Sequence, residues 1–184
     1  MIAALLPREG VDRLEGFTAT RDQFLGAKLG SYRFIHVASH AIADSEVPQA
    51  SALILSTRDP RSREIEGRVL AADFMSVRLN ADTVVLSACA TALGKHVVGE
   101  GLLGLQYVVL ARGARSVVSS LWPVADQSTA DFMGRFYYSL VQPGSSVLTA
   151  LGGAMRGMLA TPSADPSHWA GFMLTIGALP SGEE

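Results

Sequence analysis

Two apolar runs constrain this chain more than any other part of it. Thr83-Val84-Val85-Leu86-Ser87-Ala88-Cys89-Ala90-Thr91 holds the single cysteine, and Tyr32-Arg33-Phe34-Ile35-His36-Val37-Ala38-Ser39-His40 ends in a histidine. Each is short and largely apolar without strict alternation, the pattern of a strand covered on both faces. Laid parallel and side by side, they would bring a thiol and an imidazole to one edge of a sheet, where the reactive groups of such sheets gather. A thiolate is a nucleophile, and an imidazole within reach can take the thiol proton and later protonate a leaving amine. A carbonyl under attack also needs donors for its oxygen; the backbone N–H groups of Ala41 and Cys89 are the candidates.

The remaining pattern supports such a frame. Thr18 to Asp22 carries the hydroxyls of a helix start, with Phe24, Leu25 and Leu29 at helical spacing behind it and Gly30 as a stop. Strands are expected over 33–38, 52–56, 83–88, 115–121 and 169–176, with 64–69 returning as a hairpin arm. Short or buried helices are expected over 70–77 and 102–111, the second closed by Arg112-Gly113. Asp126 is placed to cap a helix with the stripe Ala130, Met133, Phe136, Tyr137 and Leu140, and a further helix carries Val147, Leu148, Leu151, Met155, Met158 and Leu159. Strands alternating with helices predict an α/β fold with a largely parallel sheet. Residues 18–177 read as one domain, 1–17 as a lead-in and 178–184 as a polar tail.

Bulk properties exclude several alternatives. Apolar residues make up 48% of 184 and charged residues 17%, a globular composition. The net charge is −2, with no basic block or Lys/Arg stripe, which argues against nucleic-acid binding. One cysteine forms no intramolecular disulfide, consistent with a reducing compartment. No run reaches the roughly 18 apolar residues of a membrane span. A soluble, cytoplasmic protein is the expectation. Cys89 with His96 has no metal-ligand spacing, no nucleotide motif surrounds Gly99 and Gly101, and His36, inside its strand, reads as a packed side chain.

Cys89 follows His40 by 49 positions, close to the histidine-to-cysteine gap of about 50 in caspases. Phe34-Ile35-His36-Val37-Ala38-Ser39-His40 resembles the histidine strand of CHAT domains, caspase-like peptidase domains found beside tetratricopeptide repeats, and Val84 to Thr91 resembles their cysteine strand. Gly99-Glu100-Gly101-Leu102-Leu103-Gly104-Leu105, Ala111 to Val118, Ser120-Leu121-Trp122-Pro123-Val124 and His168-Trp169-Ala170-Gly171-Phe172 continue the likeness in order. The resemblance implies a caspase-hemoglobinase-like three-layer α/β/α fold with a mostly parallel central sheet. It also implies a cysteine endopeptidase whose dyad falls on His40 and Cys89, acting on a protein or peptide without cofactor or metal. A repeat or sensor region, in a longer protein or a partner chain, would regulate it.

Asp126 and Glu100 are the candidates for a substrate pocket. Helix capping competes for the first, and stabilisation by a helix dipole for the second. The segment Leu121, Trp122, Val124, Asp126 resembles one in separases, which hold a substrate arginine with an aspartate four residues further on; here that residue is Ala130. Two further positions depart from the family pattern. Ala41 stands where CHAT domains usually have glycine, and Ala90 where they often have an acidic residue. Both leave open an alternative reading, a non-catalytic caspase-like domain acting as an interaction adaptor.

Overall fold

The structure, a computed structural model, describes residues 10–44, 46–87, 89–92 and 103–177. Its strands are β1 (Phe34–Val37), β2 (His40–Ala43), β3 (Ala52–Ile54), β4 (Arg68–Leu70), β5 (Thr83–Leu86), β6 (Cys89–Ala92), β7 (Ser116–Ser120) and β8 (Phe172–Ile176). Its helices are α1 (Arg21–Gly26), α2 (Leu103–Ala111), α3 (Asp126–Leu140) and α4 (Val147–Met158). The described residues divide into two compact units, a larger one of 14–123 with 175–177 and a smaller one of 10–13 with 124–174.

The two apolar runs pair with each other in the larger unit. β1 and β5 are parallel, in register from Phe34 opposite Thr83 to Val37 opposite Leu86. β7 lies parallel on the other side of β5, and β8, whose last two residues belong to this unit, completes the order β1-β5-β7-β8. Every residue of β5 and β7 is buried, which explains why neither alternates. Two buried hydroxyls, those of Thr83 and Ser116, are tied where the strands begin. Ser116 Oγ donates to Asp82 O at 2.8 Å and, its proton being used there, accepts from Thr83 Oγ1 at 3.0 Å. The Asp82 carboxylate receives Arg33 at 2.6 Å and Arg115 at 3.0 Å, one arginine from each flanking run.

Both strands of the central pair break at the same level. β1 ends at Val37 and β2 begins at His40; β5 ends at Leu86 and β6 begins at Cys89. The pair then resumes, still parallel, with His40 opposite Cys89 and Ala43 opposite Ala92. β2 pairs antiparallel with β3, and β3 with β4, giving a second sheet in the order β4-β3-β2-β6. The polar loop begins at Asp44, where Asp44 Oδ1 accepts from the Glu46 and Val47 N–H groups. The described residues of the break, Ala38, Ser39 and Ser87, are all small, and nothing in an apolar run announces it.

Around this frame the expected elements appear with shifted ends. Thr20 caps α1 by accepting from Gln23 N–H, but the helix stops at Gly26, and Leu29 sits in a separate 3-10 turn, Leu29–Ser31. The expected helix at 70–77 is a 3-10 helix, Ala71–Ser76, and the returning arm is β4 preceded by one bridge between Arg58 and Glu64. α2 buries Leu105 and Val109 and packs on β7 and on the 3-10 helices Pro48–Ala50 and Ala71–Ser76. It is covered on most sides, as its sequence suggests, with Tyr107 exposed. Two residues past its end, Gly113 has a φ of +110°, and a Cβ there would collide with Leu79 O, so this position must be glycine.

In the smaller unit α3 and α4 form an antiparallel hairpin across Pro143-Gly144-Ser145, with Ser146 and Thr149 closing a capping box on α4. Met133, Phe136 and Tyr137 are buried as their spacing predicts; Phe132 joins them, stacked on Phe172 with centroids 4.2 Å apart. The closing strand begins only at Phe172, because Pro166–His168 form a 3-10 helix first. Trp169 donates its indole N–H to Ala164 O at 3.1 Å. Among the described residues no helix is long and apolar enough to cross a membrane.

Gly113→Ala should lower the unfolding free energy by on the order of 2 kcal/mol, from the strained φ and the collision together. Gly26→Ala, in open space at the end of α1, should change it by less than about 1 kcal/mol. Urea midpoints of the two variants check this, and equal effects would contradict the packing described here.

Candidate active site

The sequence places a thiol and an imidazole near two strand ends, and the backbone brings their residues side by side. His40 opens β2, Cys89 opens β6, and the two are register partners in a parallel pair. Adjacent strands lie about 4.8 Å apart, so the two Cα positions are near neighbours. The two candidate residues thus do not trail from strand ends into loops; each is the first residue of a strand that follows a break. His40 is exposed. Its carbonyl accepts from Ser39 Oγ at 3.1 Å.

Ala41, the first candidate oxyanion donor, is fully buried and faces Ala90 in β6 and Leu53 in β3. It therefore sits in the middle strand of three, with its backbone held between neighbours. The other candidate donor, Cys89, stands at the start of β6, which among the described residues is the outer strand of its sheet.

The pocket candidates fare differently. Asp126 is the first residue of α3 in the smaller unit, exposed and in the first turn. It does not cap the helix, because Ala125 occupies the N-cap position and supplies no side-chain bond. The carboxylate instead stands where the helix dipole favours a negative charge. Ala130, one turn on, is half-buried. Glu100, with its flanking glycines, and His96 lie outside the described residues.

Sequence reasoning missed one interaction beside the candidate pair. His36, half-buried in β1, reaches across to β5's end, where its Nε2 and Ser87 Oγ are 2.6 Å apart. Ser87 Oγ also donates to Val37 O at 3.4 Å, and Ser87 N–H to the same oxygen at 3.1 Å. His36 precedes His40 by four positions and Ser87 precedes Cys89 by two. Unequal offsets of this kind leave no signal in a sequence pattern. Burial pushes the His36 imidazole down to about 4, since desolvation disfavours its charged form.

The family model of the CHAT domain matches residues 1–178. The chain belongs to the CHAT domain family, a caspase-like peptidase family. Tetratricopeptide repeat protein 28 of Mus musculus is 39% identical over 105 residues, and its counterpart in Homo sapiens 38% over 105 residues. Each match covers 56% of this chain and 4% of the relative, so this chain corresponds to a small part of two long repeat proteins.

The low pKa of His36 carries a stability prediction. The unfolded imidazole titrates near 6.5 and the folded one near 4, so between those values the unfolded chain binds a proton that the folded chain does not. Stability should therefore be full above about pH 6.5 and fall as pH drops towards 4, by on the order of 2 kcal/mol given partial solvent access. In His36→Asn that slope should largely vanish when urea unfolding is compared at pH 7 and 4.5. An unchanged slope would show that His36 is not the group responsible.

Proposed function

We propose that this chain is a cysteine endopeptidase in which the Cys89 thiol is the nucleophile and His40 its base. The observation that carries the reading is the register of His40 opposite Cys89. The family membership supplies the chemistry such a pair would serve, and a caspase-hemoglobinase-like three-layer arrangement of residues 18–177 as one domain is part of the same proposal.

The reaction follows from the groups. His40 takes the thiol proton, and the thiolate attacks the peptide carbonyl, forming a C–S bond and an oxyanion received by the N–H groups of Ala41 and Cys89. The intermediate collapses with cleavage of the C–N bond, and the imidazolium returns its proton to the departing amine. Water, deprotonated by His40, then attacks the thioester; the C–S bond breaks and a carboxylate leaves. Asp126 and Glu100 are proposed to contact the substrate. No cofactor takes part, and a repeat or sensor region would control access in the cytoplasm, in keeping with the tetratricopeptide repeat proteins among the relatives.

One observation favours a second reading, the adaptor. Ala41 replaces the usual glycine and is enclosed between β3 and β6, so its N–H has little freedom to turn towards a substrate oxygen.

Cleavage of an unbiased peptide library separates the two readings. The wild-type chain should cut, and Cys89→Ala or His40→Ala should lose at least about a thousandfold in rate while keeping the wild-type circular dichroism spectrum. Undiminished cleavage by Cys89→Ala would contradict the mechanism. Absence of cleavage by the wild type, with or without a repeat-domain partner, would favour the adaptor.

A further inference from the structure

The bond between His36 and Ser87 joins the two strands at their last common level before both break. Ahead of the break, Ser87 N–H reaches Val37 O at 3.1 Å, and the imidazole meets the Ser87 hydroxyl at 2.6 Å. Beyond it, the first rung sets His40 opposite Cys89. We propose that His36 and Ser87 act as a clasp, positioning residues that hold the two breaks level so that His40 and Cys89 come out in register. This rests on the reading of His40 and Cys89 as a working dyad.

Three features support the assignment. The first is connectivity. With Nε2–H of His36 donating to Ser87 Oγ, the hydroxyl keeps its own proton for Val37 O, the geometry found at 3.4 Å. One serine is thereby bound to both the side chain and the backbone of the opposite strand. The second is geometry. A slip of one residue between parallel strands displaces side chains by about 3.3 Å along the strand, and a misplacement of about 1 Å can cost a reacting pair a hundredfold. Among the described residues of the breaks, Ala38, Ser39 and Ser87, none has a large side chain that could pin the level by packing. The third is persistence. With Nε2–H as the donor at 2.6 Å, the bond does not depend on the proton at Nδ1, and burial holds the ring neutral down to about pH 4, so no charge appears beside the break over the range in which an imidazole near its ordinary value would exchange protons with a thiol. Nothing in ordinary strand pairing requires a histidine at this place; an apolar residue would fill β1 equally well.

The single cysteine makes the test direct. In the full chain, the rate of alkylation by iodoacetamide as a function of pH reports Cys89 alone, because the thiolate displaces iodide and forms the C–S bond. Ser87→Ala should slow alkylation at pH 7 about tenfold and move the midpoint of the profile towards that of a free thiol, about 8.5. Ser87→Thr, which keeps the hydroxyl, should restore the wild-type profile, a rescue that a general loss of stability would not produce. His36→Phe, which fills the space without a polar nitrogen, should behave like Ser87→Ala and decides the matter if the latter fails to fold. A wild-type profile in Ser87→Ala and His36→Phe would overturn the clasp, provided His40→Ala slows the reaction. If His40→Ala also leaves the profile unchanged, the dyad itself is wrong and the clasp falls with it.

Discussion

The parallel pairing that begins with β1 on β5 and resumes with β2 on β6 is the interaction on which the larger unit depends. One pair of chain segments supplies two neighbouring strands of the first sheet and, after a shared break, the parallel edge of the second. Parallel strands have no hairpin to fix their register, so it must come from burial and from side chains. Burial acts along β5, where all four residues are inaccessible and a slip of one would move polar Asp82 or half-buried Ser87 into the core.

Side chains act where the strands enter and leave. At the entry, Asp82 holds one arginine from the run ahead of β1 and another from the residue before β7. Both arginines are largely exposed, so these ion pairs contribute little to stability, but they favour a single alignment. At the exit, the half-buried contact between His36 and Ser87 does the same at 2.6 Å. The chemistry proposed for this chain lies just past that exit, where register decides whether an imidazole and a thiol share a level.

Much of this could be read in the amino-acid sequence, and what could not has physical causes. Apolar runs, helix caps and terminal glycines located β1, β5, β7, α3 and α4 within a few residues, because burial and capping are local signals. The break between β1 and β2 was invisible: Ala38-Ser39 looks like the start of a loop, and only pairing with β6 shows that His40 begins a strand. Asp126 had the composition of a cap, yet the chain enters α3 one residue earlier, through Ala125. The contact of His36 with Ser87 depends on two strands 51 residues apart in the chain, and no local pattern encodes it. His36 was legible as a packed residue but not as a bonded one.

The central claim is that Cys89 and His40 act on each other, and absorbance of the thiolate near 240 nm tests it most directly in a protein with one cysteine. The account predicts a thiol midpoint well below the ordinary value of about 8.5 in the wild-type chain, and a return to that value in His40→Ala. An ordinary midpoint in both proteins would contradict it.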